Sequence, residues 1–381
     1  MPARHAAAIV GVAESDLGLT PGKSVLQLQA QAARAALDDA GLSLRDVDAL
    51  FSAGAWSWSP NLLLAEYLGI QPTYTDGTNI GGSSFEAHVG HAVAGIQAGL
   101  FEVALIAYGS MQRSDRSRNR PRPVAALNEQ YELPYGLPMP VGAYALAAMR
   151  HMHEFGTTSE QLAEVAVATR KWAALNEKAM MREPITIEDV LASRWIAEPL
   201  HLLDCCLVTD GGGAIVVASA DRAHNTRKPP VWVLGHGETH THSGISSMPD
   251  LTTTGAVTSG RAAFAMAGLT PADIDVAEIY DSFTITVILT LEALGFCGRG
   301  EGGAFVSGQR TAPGGLFPLN TNGGGLSYCH PGMYGIFLLI EAARQLREEC
   351  GTRQVPGATL ALAHGTGGVL SSAATVILGR E

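Results

Sequence analysis

Positive charge is scarce in this chain: 25 Lys and Arg face 36 Asp and Glu, a formal net charge of −11. A nucleic-acid partner is therefore not expected, because phosphate binding needs a dominant basic face. One local exception stands out. Arg113, Arg116, Arg118, Arg120 and Arg122 crowd a Ser- and Pro-rich stretch, readable either as an exposed or subunit-contacting loop or as a contact to the phosphates of a nucleotide-like group. Long apolar runs are also missing. The stretch from Ala6 to Ala13 is closed by Glu14 and Asp16, short of a secretory signal, and no segment reaches the ~20 residues of a membrane span. Cysteine is limited to Cys205, Cys206, Cys297, Cys329 and Cys350, an odd count without C-x-x-C spacing. Neither a disulfide framework nor a zinc site follows, and a reducing, cytoplasmic location is expected.

What is abundant is glycine, 44 residues of 381, in a chain that is 46% hydrophobic and only 16% charged. That composition suits a close-packed α/β protein in which loops bring backbone near a ligand. The chain also repeats itself. Ala36-Leu-Asp-Asp-Ala-Gly-Leu-Ser-Leu-Arg-Asp-Val-Asp48 matches Ala263-Phe-Ala-Met-Ala-Gly-Leu-Thr-Pro-Ala-Asp-Ile-Asp275, each a helix ending at Gly before a turn and an entering strand. Thr78-Asn-Ile-Gly-Gly-Ser-Ser-Phe-Glu-Ala-His matches Thr321-Asn-Gly-Gly-Gly-Leu-Ser-Tyr-Cys-His. Both lead into apolar-periodic helices, Val89 to Leu100 and Ile336 to Leu346, and then into strands, Val103 to Ala107 and Leu360 to Ala363.

The stretch 112–199 has no counterpart in the repeat and reads as an inserted loop domain, with helices over Ala143 to Phe155 and Ser159 to Asn176, the latter opened by a capping-box-like Thr158-Ser-Glu-Gln. The expected division is thus 1–111 plus 200–225, the insertion 112–199, and a second half 226–381. A strand over Ala214 to Ala218 completes the first half. The alternating elements predict mixed sheets layered with helices.

With these motifs in view, the chain resembles the thiolase superfamily. The loop Asn79-Ile-Gly-Gly-Ser-Ser, the segment Asp204-Cys-Cys-Leu-Val-Thr-Asp-Gly-Gly-Gly-Ala, the motif Tyr280-Asp-Ser-Phe and the run Asn322-Gly-Gly-Gly-Leu-Ser-Tyr-Cys-His-Pro carry the resemblance, which covers nearly the whole chain. The nearest branch is that of sterol-carrier-protein-type thiolases and lipid-transfer-protein-like acyl-CoA aldolases. Thiolases attack with a cysteine at a helix N-terminus, where backbone N–H groups and the helix dipole lower its pKa. Here Gly81 occupies the matching place. Ser83 and Ser84 follow it, read as helix-capping or substrate-binding hydroxyls and, less readily, as a substitute nucleophile.

The resemblance implies further site residues. Where sterol-carrier-type thiolases have His-Asp-Cys-Phe this chain has Tyr280-Asp-Ser282-Phe, so Tyr280 and Ser282 stand at catalytic positions. Cys329-His330-Pro331-Gly332 resembles the family's Gly-His-Pro loop, which makes His330 an acid/base candidate and leaves Cys329 a structural thiol. Asn322, Gly323 and Gly324 are expected to supply oxyanion contacts, Tyr328 and Tyr334 either line the acyl pocket or pack, and His364 is a candidate proton donor in the last Gly-rich loop.

Without a thiolate to hold an acyl group, the chemistry that remains is enolate chemistry on a CoA thioester. The expected reaction is retro-aldol cleavage of a β-hydroxyacyl-CoA with Tyr280 and His330 as the acid/base pair, coenzyme A entering only as part of the substrate and no cofactor bound. The steroid side-chain aldolases of the branch keep Tyr at the first position of the motif but have His at the third, where Ser282 stands here. The alternatives are an acyltransferase or condensing enzyme using a non-cysteine route, and a non-catalytic acyl-CoA or lipid carrier. The resemblance also implies a homodimer and a partner combining an OB-fold with a zinc ribbon. Leu133 to Pro140 and Met248 either line an acyl pocket or form ordinary core.

Overall fold

The computed structural model describes residues 5–54, 57–116 and 126–380. Its frame is two similar halves. The first half holds strand β1 (Ala7–Glu14), helix α1 (Val25–Ala40), β2 (Ala49–Phe51), helix α2 (Pro60–Leu68), β3 (Tyr74–Asp76), α3 (Ser84–Gln97) and β4 (Val103–Ser110). An excursion follows, with helices α4 (Ala126–Tyr131), α5 (Val141–Phe155), α6 (Ser159–Ala174) and α7 (Ile187–Ala192) and a separate pair of short strands, β5 (Trp195–Ala197) and β6 (Leu200–His201). Strand β7 (Gly211–Ser219) and the short α8 (Ala220–Ala223) close this half.

The second half repeats the order with β8 (Val231–His240), α9 (Ala256–Ala267), β9 (Val276–Ile279), α10 (Thr284–Leu294), α11 (Gly302–Val306), α12 (Gly335–Leu346), β10 (Leu360–Gly367) and β11 (Ser372–Gly379). Among the described residues the strands join in one mixed sheet of nine, ordered β3-β2-β4-β7-β1-β8-β11-β10-β9, so the halves run outward from the β1–β8 pair in matching order except that β3 has no counterpart beyond β9. That junction is short, Ala8 against Trp232 and Ile9 against Val231.

The repeat is visible in the caps as well. Helix α1 ends at Gly41 with φ 73° and α9 at Gly268 with φ 67°, left-handed positions that cost glycine no Cβ clash. Ser43 and Thr270 then cap equivalent turns through Asp46 and Asp273. Thr158 and Gln161 form the anticipated capping box at the head of α6.

Strand β7 begins three residues earlier than the sequence pattern indicates, because Gly211, Gly212 and Gly213 belong to the strand and not to a loop. A Cβ at Gly212 would lie 3.1 Å from the Gly109 α-carbon, and one at Gly213 would press 2.8 Å from Ile340 Cδ1, so these glycines let β7 pass under α12 and beside β4.

Helices α3 and α12 lie at the centre and touch strands of both halves. The core around them mixes residues from both, among them Phe85, Val89, Ile106, Val217, Phe337, Leu338, Ala361 and Val376. Helix α1 covers one half and α9 with α10 the other. The N-termini of α3 and α12 carry the repeated Gly-rich loops, so burying these two helices together brings the loops toward one place.

Of the basic run, Arg113 and Arg116 are exposed, as a loop reading expects, while Arg118, Arg120 and Arg122 lie outside the described residues. Among the described residues no helix is long and apolar enough to cross a membrane, and no cluster of His, Cys, Asp and Glu could hold a metal ion.

Candidate active site

Strand β9 leads into Tyr280-Asp281-Ser282, and four hydrogen bonds fix this turn. The Tyr280 N–H donates to the His364 carbonyl of β10 at 3.0 Å, and the Cys206 N–H donates to the Ser282 carbonyl at 3.0 Å. Asp281, fully buried, accepts from the N–H groups of Gly325 at 2.6 Å and Leu326 at 3.1 Å. Burial nevertheless outweighs these bonds and pushes the Asp281 carboxyl up to about 7. Gly324 is required here, since any Cβ at that position would strike the Asp281 carboxylate.

The loop ahead of α12 brings His330 opposite. Its N–H donates to Thr209 Oγ1 at 3.0 Å, while Tyr108 holds the next residue by donating to the Pro331 carbonyl at 2.6 Å. Tyr280 Oη and His330 Nε2 meet at 2.7 Å, and the phenol also lies 3.3 Å from the Gly332 carbonyl. Burial first, then the neighbouring Cys206 and Tyr144, hold the Tyr280 phenol well above its usual range. At neutral pH it keeps its proton and acts as a donor.

This pair opens on a cavity of about 500 Å³ whose wall includes Asn79, Gly81, Gly82, Gln112, Tyr144, Cys206, Ser282 and the Thr366–Gly368 turn, with Met139, Pro140, Phe283 and Met333 as its apolar part. The head of α3 faces the cavity through Gly81 and Gly82. A Cβ at Gly82 would lie 2.9 Å from Tyr280 Cζ and 2.6 Å from the Thr366 carbonyl oxygen, whereas one at Gly81, where φ is +77°, would meet the Gly367–Gly368 backbone. The tyrosine ring therefore fills the space that a side chain at position 82 would need. Both glycines line the cavity, and Gly82 is the one whose missing side chain the tyrosine ring replaces.

Several expected residues stand apart from the cavity. Ser83 Oγ donates to the Ile80 carbonyl at 3.1 Å and Ser84 Oγ to the Gly81 carbonyl at 2.7 Å, so both hydroxyls tie the turn and neither lines the wall. Asn322 is a packing residue: its Oδ1 accepts from Tyr334 Oη and from the Gly324 N–H, each at 2.8 Å. The N–H groups of Gly323, Gly324 and Gly325 are spent on Asn320, Asn322 and Asp281, which removes them as oxyanion donors. Tyr328 turns away to donate to Glu14, and Tyr334 packs edge-on to Tyr280 and face-on to His330 without reaching the cavity.

His364 is buried behind the wall with Nδ1 at 2.9 Å from Thr375 Oγ1, and burial pulls it down to about 3, so it stays neutral. It contributes its backbone carbonyl to Tyr280, not its ring. Cys329 is fully buried, as a structural thiol should be. Met248 lies outside this cavity, with Leu137 in a second apolar hollow beside α5.

Two cavity residues had no signal in the sequence, Gln112 and Tyr144 from the excursion, and two more, Asn79 and Cys206, stood inside quoted motifs without being singled out. Tyr144 packs at a tilt against Phe283, ring centroids 4.4 Å apart, and burial raises its phenol to about 12. Only the return of the excursion across the second half brings Gln112 and Tyr144 to the cavity beside Tyr280. The Asp204-Cys-Cys segment offered Cys206 as part of a motif, but nothing in its spacing said which of the two thiols would face inward.

A pair of similar α/β halves packed over two central helices, with Gly81 and Gly82 ahead of one and His330 and Gly332 ahead of the other lining a common cavity, defines a thiolase-type enzyme. Residues 237–380 match the family model described as Thiolase C-terminal domain-like. The chain is 39% identical over 365 residues, 90% of this chain and 91% of the relative, to the 17-hydroxy-3-oxo-4-pregnene-20-carboxyl-CoA lyase of Mycobacterium tuberculosis. It is 38% identical to a steroid side-chain-cleaving aldolase of Thermomonospora curvata, covering 90% of each. Among solved structures it superposes on the Ltp2-ChsH2(DUF35) aldolase with a TM-score of 0.90 at 35% identity, covering 99% of this chain and 98% of that one. The chain belongs to the thiolase superfamily, in the branch of sterol-carrier-protein-type thiolases and lipid-transfer-protein-like aldolases.

Proposed function

We propose that this enzyme cleaves the Cα–Cβ bond of a β-hydroxyacyl-CoA by a retro-aldol reaction, without a covalent acyl-enzyme. The observation that carries this reading is the 2.7 Å contact of Tyr280 with His330 over Gly82, where acid/base capacity stands beside a position with no side chain to act as nucleophile. His330 Nε2 takes the proton of the substrate β-hydroxyl, with the Tyr280 phenol relaying it. The Cα–Cβ electron pair passes to the thioester as the β-carbon becomes a carbonyl and leaves as a ketone or aldehyde. The same pair then returns a proton to Cα. The enolate oxygen is stabilised by the positive end of α3 at Gly81–Gly82 and by hydroxyls of the wall, Ser282 and Tyr144.

The names of the two curated relatives support a steroid side chain as the acyl group. The apolar wall of Met139, Phe283 and Met333 fits a branched hydrocarbon. The solved aldolase pairs two components in its name, which favours a second protein of OB-fold and zinc-ribbon type here as well. Five cysteines in the thiol form fit a cytoplasmic setting.

Acyl transfer is the second reading, favoured by Cys206 in the cavity wall and by 34% identity to an acetyl-CoA acetyltransferase of Methanothermobacter thermautotrophicus. Incubation with β-hydroxyacyl-CoAs bearing a tertiary β-carbon, alone and with the zinc-ribbon partner, separates the two by product mass. A ketone plus a shortened acyl-CoA is expected. A stable acyl adduct on Cys206 or a serine overturns the lyase reading.

A further inference from the structure

Glu86 has no role in the chemistry above, yet it sits in the first turn of α3, whose head forms one wall of the cavity. It is 1% exposed, and among the described residues neither carboxylate oxygen has a hydrogen-bond partner. The space it occupies is made by two glycines on other elements. A Cβ at Gly335, which opens α12, would lie 2.8 Å from Glu86 Oε1, and one at Gly365 of β10 would lie 2.6 Å from Glu86 Cδ. The same Cβ at Gly335 would also strike the Gly82 carbonyl oxygen, so the carboxyl and the cavity-facing peptide of Gly82 share one surface of α12.

An acidic residue in the first turn of a helix ordinarily serves as an anion that offsets the positive end of the dipole. A buried carboxylate without a partner is too costly to persist, so here the group is held as the neutral acid. We propose that Glu86 is a positioning residue that keeps the head of α3 free of negative charge, leaving its positive end available to the thioester enolate, and that ionising it switches this stabilisation off. This rests on the enolate chemistry proposed above.

Burial pushes the Glu86 carboxyl up to about 8, opposed only by its own amide. The other titratable groups on the elements packed around it are engaged elsewhere. His88 of α3 bonds the Thr78 carbonyl and His364 of β10 bonds Thr375. On α12, Glu341 pairs with Arg353 and Arg344 with Glu14.

Two measurements on the full-length protein test the inference. The first needs no chemistry. A carboxyl whose folded pKa is raised gives its full stability below its unfolded value and loses it as pH rises through the folded value. The melting temperature of Glu86→Gln should therefore gain on wild type between about pH 5 and pH 8. A gap that stays constant with pH overturns the proposal.

The second follows α-hydrogen exchange of a saturated acyl-CoA in D2O by NMR, which requires enolate formation but no C–C cleavage. Wild type should lose roughly tenfold in exchange rate from about pH 7 to pH 9.5, while Glu86→Gln should hold the ratio of the two rates within about twofold. Glu86→Met, similar in reach and unable to ionise, serves if the amide variant does not fold. Exchange with this pattern but no retro-aldol products supports Glu86 and removes the lyase reading. Cleavage with the same alkaline loss in all three proteins removes Glu86 and keeps the lyase, and absence of both reactions counts against both.

Discussion

Tyr280 serves the site twice, with its ring over Gly82 and its phenol on His330, and the two uses depend on each other. An added methyl at position 82 has no room unless the ring moves, so Gly82→Ala is expected to destabilise the protein by about 1–3 kcal/mol through overpacking and to break the 2.7 Å contact. Thermal melting and turnover of the same variant should fall together. Tyr280→Phe keeps the ring and removes the oxygen. Its melting temperature should barely change while kcat drops ~10²–10⁴-fold, the range of a lost acid/base group; a kcat within a fewfold of wild type would remove Tyr280 from the mechanism. Tyr280, His330 and Ser282 were legible in the sequence because they occupy ordered motif positions. Ser83, Ser84, Asn322 and His364 were equally visible as residue types, but where a hydroxyl, an amide or a ring points depends on hydrogen bonds within the fold.

At the scale of elements, the site is held by contacts between strands and loops far apart in the chain. Asp281 on the turn after β9 anchors the 323–328 loop through the Gly325 and Leu326 N–H groups, and Asn320 and Asn322 take those of Gly323 and Gly324, so the three glycines have no N–H left for a ligand. Strand β1 is tied to α12 in a similar way. Glu14 at its end is buried and pairs with Arg344, and with Lys178 of the excursion at 3.1 Å. Burial opposes ionisation of Glu14, but the charge and hydrogen bonds of Arg344 and Lys178 outweigh it and hold the carboxyl far below its ordinary value of 4.5. The resulting stability is present above pH 4.5 and is lost as pH falls. Glu14→Gln should cost about 3–5 kcal/mol at neutral pH, because Arg344 is left largely buried without its partner. Urea denaturation should show the difference from wild type shrinking at low pH. A pH-independent difference would mean that the pair contributes packing alone.

For the molecule as a whole, the sheet ends at β3, whose outer edge has no partner among the described residues. Beside it α2 exposes Leu62, Leu63 and Tyr67, an apolar strip of the sort that marks subunit contacts. We propose that two copies pair across this edge. Sedimentation should give a dimer for the native chain and a monomer for Leu62→Lys combined with Tyr67→Lys; a dimer in both places the interface elsewhere. We also propose that 112–199 is an insertion between the strands of the first half, since its described residues add no strand to the nine-stranded sheet while Gln112, Met139 and Tyr144 reach the cavity.

The sequence by itself determined the duplication, the helix ends at Gly41 and Gly268, the placement of Tyr280 and His330 in ordered motifs and the absence of cysteine from the first Gly-rich loop. These follow from local chemistry: periodicity, caps and the identity of residues in ordered motifs. Only the tertiary structure decided that Gly82 faces the tyrosine, that Asn322 and the 323–325 amides are consumed by packing, that Tyr144, Gln112 and Cys206 join the wall, and that Glu86 lies buried behind it without a hydrogen-bond partner among the described residues. Each of these depends on which atoms of distant segments meet once α3 and α12 are buried together, and a hydrogen-bonding group shows no sign in sequence of whether the fold has already used it.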